Sequence, residues 1–173
     1  MNASSKVLIG IAAVVAFAIG WVVNSARITP AGETQTLLKA ELIESEAPQV
    51  LGRIQDKLET LNLVNFWASW CAPCREEMPI FQTMYQQHRN MGFQVIGVAI
   101  DSPSKTQSML DSMGITYPIL YAEQTGMQLM ESVGNANGLL PYTLLLDDTG
   151  TVLEQKLGTV HAQDIQAWIE AHR

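Results

Sequence analysis

Cys71 and Cys74 are the two cysteines of this 173-residue chain, and only Ala72 and Pro73 separate them. Thiols at this spacing can cycle between dithiol and disulfide, which points to a reactive pair. A structural staple explains them poorly, because so short a loop removes little entropy from the unfolded chain. A structural zinc site needs four ligands, and His88, His161 and His172 are scattered without ligand spacing. Haem attachment needs a histidine after the second cysteine, where Arg75 stands. Thiol–disulfide exchange fits best: Cys71 attacks a substrate disulfide, a mixed disulfide forms, and Cys74 resolves it.

That chemistry needs elements to hold it. Leu61 to Trp67 is a β-prone apolar run, read as a buried strand ending at Ala68-Ser69-Trp70. Pro73 sits where a first-turn helical proline is tolerated, and the helix is expected to reach about Asn90, with Met91-Gly92 ending it. Pro79 lies inside and is expected to bend it. Cys71 then lies at the helix N-terminus, where free N–H groups and the macrodipole favour a thiolate. Cys74 lies one turn later and deeper. Glu77 follows Cys74 by three residues and shares its helix face. An acid there suits proton transfer from a thiol, and this reading is favoured over an acid that only complements the dipole, which is the whole reading of Glu76.

Downstream, Phe93–Ile100 reads as a second buried strand and Ser104–Met113 as a helix stopped by Gly114. Tyr117–Tyr121 reads as a short strand. Gly126–Val133 reads as a helix with Met127, Leu129, Met130 and Val133 turned inward. Tyr142–Leu146 and Thr151–Leu157 flank the turn Asp147–Gly150 as a hairpin. Ile165, Trp168 and Ile169 give a last helix its apolar stripe. Such β-α alternation closed by a hairpin predicts an α/β fold, a central mixed sheet with helices on both faces. Between 37 and 58 the pattern is ambiguous. Leu37, Leu38, Leu42 and Ile43 fit a strand or a short helix, and Val50–Ile54 fits another.

Val7 to Val23 is an apolar run of 17 residues without a charge. As a helix it would measure roughly 26 Å, at the short end for a bilayer span. The run exceeds the usual signal-peptide core, and Val23-Asn24-Ser25-Ala26 matches a cleavage site poorly, so an uncleaved anchor is favoured over a cleaved signal. Trp21 suits an interfacial position. The expected organisation is a cytoplasmic stub at 1–6, an anchor at 7–23, a linker at 24–36 and one exported domain at 37–173. Without Lys6 that exported part is one unit more acidic than the chain's net −7, which argues against a nucleic-acid partner.

Asn65-Phe66-Trp67-Ala68-Ser69-Trp70-Cys71-Ala72-Pro73-Cys74-Arg75-Glu76-Glu77-Met78-Pro79 resembles the TlpA/ResA-like branch of the thioredoxin superfamily. The likeness continues through Gly97–Asp101, Gly138–Thr143 and Leu146–Gly150. It implies a thioredoxin-like domain at the outer face of a bacterial inner membrane, single-pass and facing the periplasm or outside. The implied activity is that of a thiol:disulfide oxidoreductase, with a role in cytochrome c maturation among those open to it. Its implied partners are disulfide-containing exported proteins and a membrane electron donor. No cofactor is implied beyond the Cys71–Cys74 pair itself. The resemblance makes Pro141 a cis-proline facing the cysteines; by spacing alone it reads equally as a stop before Tyr142. It also implies that Trp70, Pro73, Leu140 and Pro141 meet the substrate, with Leu140 offering its backbone, and that Glu77 tunes Cys74. General thioredoxins carry a buried Asp at the position of Asn65, which shifts proton handling here toward Glu77 or water. Trp67 reads equally as a site residue or plain core.

Three other functions remain in view. A disulfide oxidase or isomerase shares the fold, and the uncharged Ala72-Pro73 does not set direction. A peroxiredoxin would carry threonine at Ala68 and proline at Val64. Copper delivery would need wider cysteine spacing and a histidine near Pro141, and none lies between His88 and His161.

Overall fold

The computed structural model describes residues 31–46 and 49–173. The run Val7–Val23 lies outside the described residues, and among those described no helix is long and apolar enough to cross a membrane. In chain order the elements are α1 (Ala31–Lys39), β1 (Leu42–Glu46), β2 (Gln49–Gly52), β3 (Leu61–Trp67), α2 (Ala72–His88), β4 (Phe93–Ala99), α3 (Pro103–Met113), β5 (Ile119–Tyr121), α4 (Gly126–Ser132), β6 (Tyr142–Asp147), β7 (Val152–Leu157) and α5 (Ala162–His172). They build a seven-stranded mixed sheet in the order β2-β1-β5-β4-β3-β6-β7. The β3–β4 and β4–β5 pairs are parallel, and β6 runs antiparallel between β3 and β7.

β3 is buried along its whole length, as a near-continuous apolar strand between two neighbours should be. Its alternation divides the core. Leu61, Leu63 and Trp67 enter a cluster with Cys74, Met78 and Phe81 of α2, Leu110 of α3, and Ile165 and Ile169 of α5. Val64 and Phe66 enter the opposite cluster with Leu37 and Leu38 of α1 and Leu129 and Met130 of α4. The sheet is thus covered on both faces, and Trp67 is fully buried core. Asn65 shares the phase of Leu63 and Trp67, so a polar side chain is aimed under α2.

Several expectations need correction. The segment read as a linker to residue 36 ends in helix, since α1 begins at Ala31. Leu37 and Leu38 on that helix are buried, which explains why the helix docks on the sheet although its sequence pattern is weak. The ambiguous stretch resolves into α1, the β1–β2 hairpin and a short 3-10 turn at Ile54–Lys57. β5 is shorter than expected, beginning only at Ile119, after Pro118. Met127, expected inward, is half exposed. The inward stripe is Gly126, Leu129, Met130 and Val133, and Met127 falls one position off that period. α2 passes through Pro79 without a break, although the missing N–H leaves the Arg75 carbonyl without its intrahelical donor.

Candidate active site

The turn from β3 into α2 brings the chain to the end of the sheet. Cys71 is the N-cap of α2, in extended conformation, and its Sγ accepts the Cys74 backbone N–H at 3.3 Å. Its sulfur is joined to that of Cys74 as a disulfide. Cys71 keeps a sliver of exposure at 6%, whereas Cys74 has none. Cys71 is thus the sulfur that a partner can reach and Cys74 the covered one. On reduction, the amide aimed at Cys71 Sγ and the helix N-terminus both favour its thiolate.

Asp101, just beyond β4, fixes the approach to the cysteines. Its Oδ2 accepts the Ser69 backbone N–H at 2.7 Å and the Ser69 hydroxyl at 2.8 Å. The Ile100 N–H donates to the Trp67 carbonyl and the Cys71 N–H to the Ala68 carbonyl, at 2.9 and 3.1 Å. Trp70 is 70% exposed beside this turn, the most exposed large apolar side chain among the described residues. Pro73 occupies the first turn of α2.

Glu77 is fully buried one helical turn below Cys74, on the same inward face of α2. One carboxylate oxygen accepts from Asn65 Nδ2 at 2.8 Å and the other from the Val160 backbone N–H at 3.0 Å. Asn65 Nδ2 also donates to Thr143 Oγ1 across the β3–β6 pair at 3.0 Å. Burial pushes the Glu77 carboxyl up to about 7; the Val160 and Asn65 bonds and the charge of Lys156 pull it back only partly. A carboxyl raised to that range can exchange its proton near neutral pH. Around it lie Asn65 Oδ1, Trp67 Nε1 and Tyr117 Oη, each buried without a hydrogen-bond partner among the described residues. Burial, and then the neighbouring charge of Glu77, keeps the Tyr117 hydroxyl protonated. Gly97 makes room for this group: a Cβ there would stand 3.0 Å from Trp67 Nε1 and 3.3 Å from the Tyr117 ring.

Pro141 precedes β6, and its bond to Leu140 is cis. Because Phe66 pairs with Tyr142, the start of β6 and the end of β3 lie at the same end of the sheet, and Leu140 packs on the cluster containing Cys71 and Cys74. The structure thus gathers Cys71, Cys74, Glu77, Trp70, Pro73, Leu140 and Pro141 at one end of the fold. Asp101, Thr143 and the Val160 backbone were not anticipated as part of it. Asp101 carried a signal, an acid directly after a buried strand. A backbone N–H from residue 160 carries none.

The Redoxin family profile matches residues 55–168. The thiol-disulfide oxidoreductase ResA of Geobacillus thermodenitrificans is 32% identical over 111 residues, covering 62% of this chain and 60% of that protein. A second Geobacillus ResA, from G. kaustophilus, is likewise matched over 60% of its length. The thiol:disulfide interchange protein HelX of Rhodobacter capsulatus is 33% identical over 135 residues, covering 74% of this chain and 68% of that one. The crystal structure of StoA from Bacillus subtilis superposes with a TM-score of 0.58 at 23% identity, covering 74% of this chain and 94% of that one, which establishes the shared fold. The chain belongs to the Redoxin family, as a ResA-like protein of thioredoxin fold.

Proposed function

We propose that this chain is an exported, membrane-anchored thiol:disulfide oxidoreductase that reduces protein disulfides through Cys71 and Cys74. The observation that carries the reading is the disulfide itself, with Cys71 at a helix N-terminus, Cys74 sealed beneath it and Glu77 one turn below. In the reduced enzyme the Cys71 thiolate attacks one sulfur of a substrate disulfide. A Cys71–substrate disulfide forms and the other substrate sulfur leaves as a thiolate that takes up a proton. Cys74 then gives its proton to Glu77 and attacks Cys71 Sγ, releasing the second substrate thiolate. Two electrons pass to the substrate and the Cys71–Cys74 disulfide closes. The exposed Trp70, with Pro73, Leu140 and Pro141, would meet the substrate chain.

The apolar run Val7–Val23 supports an anchor in a bacterial inner membrane with the domain on its outer side, drawing electrons from a membrane donor. Kinship with proteins named thiol-disulfide oxidoreductase and thiol:disulfide interchange protein supports disulfide-containing proteins as substrates; exported substrates and a setting in cytochrome c maturation rest on the resemblance of the Asn65–Pro79 motif alone. The uncharged Ala72-Pro73 keeps a disulfide oxidase or isomerase as the second reading. Equilibration with glutathione and dithiothreitol buffers separates the two. A reductase is expected well below the potential of strong oxidants, and a value near about −120 mV would overturn the reductase reading. Cys74→Ser should accumulate mixed disulfides on Cys71; a variant that traps no partner would overturn the assigned roles.

A further inference from the structure

The segment between α4 and β6 carries Leu140 and Pro141 to the site, and one buried amide shapes it. Asn135 is 5% exposed, and its backbone and side-chain polar groups are all engaged. Its N–H donates to the Met130 carbonyl at 2.9 Å, and its carbonyl accepts the Gly138 N–H at 3.0 Å. Its Oδ1 accepts the Leu139 N–H at 3.2 Å, and its Nδ2 donates to the Leu139 carbonyl at 2.8 Å and to Met130 Sδ at 3.5 Å. Gly138 supplies the positive φ, +58°, that brings Leu139 back onto the amide, and a Cβ there would collide with Met127.

The Asn135 amide thus satisfies both backbone groups of Leu139, as a neighbouring strand would. The next residue is Leu140, whose N–H and carbonyl have no hydrogen-bond partner among the described residues. We infer that Asn135 is a positioning residue for partner recognition: by occupying the Leu139 peptide groups, it leaves those of Leu140 as the ones a partner's extended segment pairs with. The inference rests on the proposed exchange at Cys71, and goes beyond it in assigning register to a side chain remote from the sulfurs. Only asparagine among residues of this size presents a donor and an acceptor in one plane. Aspartate would set a second acceptor against the Leu139 carbonyl, and alanine would leave both Leu139 groups open.

Amide exchange followed by NMR on the oxidised full chain in detergent micelles is the first test. The Leu139 N–H should exchange at least about tenfold more slowly than the Leu140 N–H, after correction for intrinsic rates. Equal protection would overturn the clamp. In a mixed disulfide of Cys74→Ser with the peptide Gly-Gly-Cys-Gly-Gly, the Leu140 N–H should slow while Leu139 stays unchanged; slowing at Leu139 alone, or at neither, would overturn the register. Asn135→Ala should lower the rate of insulin disulfide reduction by about tenfold, as expected for about 1.4 kcal/mol of lost positioning. Its reduction potential and its rate with a small aromatic disulfide should stay within about twofold of the native equilibrium and rate. Parallel loss of both rates, or loss of neither, would overturn the inference. If the native chain fails to reduce insulin, the functional reading fails, and amide exchange still decides the clamp.

Discussion

Glu77→Gln should make the oxidised protein more stable at pH 8 and leave it nearly unchanged at pH 4. The magnitude follows from burial. The carboxyl titrates at about 7 in the folded chain against an ordinary value of 4.5. The folded state therefore holds this proton more tightly than the unfolded state does. Native stability is fully present below the unfolded value and declines as pH rises from about 4.5 through about 7. At ~1.4 kcal/mol for each pH unit between the two values, the ionised carboxylate costs about 3 kcal/mol above neutrality. Glutamine removes that cost, provided its amide finds partners, and the site can supply them. Its oxygen can accept the Val160 N–H in place of the carboxylate. Its amide group then faces Asn65, whose Oδ1 is without a partner and becomes an acceptor if the Asn65 amide turns over. The Thr143 hydroxyl, which accepts from Asn65 Nδ2, can reverse and donate to the same oxygen. Urea denaturation from pH 4 to 9 checks this, with the disulfide intact so that neither cysteine titrates. The stability difference should rise across the interval from about 4.5 to 7 and then level off. A flat difference, or one favouring the glutamate as pH rises, would refute the reasoning. Resolution of a mixed disulfide by Cys74 should slow in the same variant, because glutamine cannot take the thiol's proton.

Three further substitutions probe the frame around the sulfurs. Gly97→Ala should destabilise by about 2 kcal/mol, since the new Cβ would lie 2.5 Å from Ile119 Cδ1 and close to Trp67 and Tyr117; unchanged urea midpoints would show that the slot yields. Asp101→Ala removes both bonds that hold Ser69 and should lower stability by about 2 kcal/mol. It should also slow attack by Cys71 on small disulfides, and a loss below about 0.5 kcal/mol would mean that Asp101 does not brace this turn. Tyr117→Phe deletes a buried hydroxyl without a partner, so stability should hold within about 1 kcal/mol or rise. A loss above about 2 kcal/mol by thermal denaturation would reveal a bond that this hydroxyl makes.

What could be read from the chain, and what could not, divides by the range of the interaction. The β3–α2 junction was legible because its signals are adjacent: an apolar run, a pair of cysteines and a first-turn proline lie within fourteen residues, Leu61 to Cys74. Met127 was misplaced because α4 is only seven residues long, too short for its period to average out. α1 reads as linker up to residue 36 and as either strand or short helix at Leu37 and Leu38, because its helicity depends on docking those two side chains. The site shows the same division at finer scale. Cys74 and Glu77 share a face by helical spacing alone, so their neighbourhood was predictable. Whether that acid is a dipole-complementing surface group or a buried one titrating near 7 depends on Val160, 83 residues away, and on Asn65 and Thr143 in facing strands. Those partners act through a backbone N–H, an amide and a hydroxyl, which are unremarkable wherever they occur in a sequence. Asn135 is the same case, an asparagine in a loop until its amide is seen paired with Leu139. The cysteines specify which reaction is possible, and it is these distant polar contacts that set its proton and the geometry in which a partner would be met.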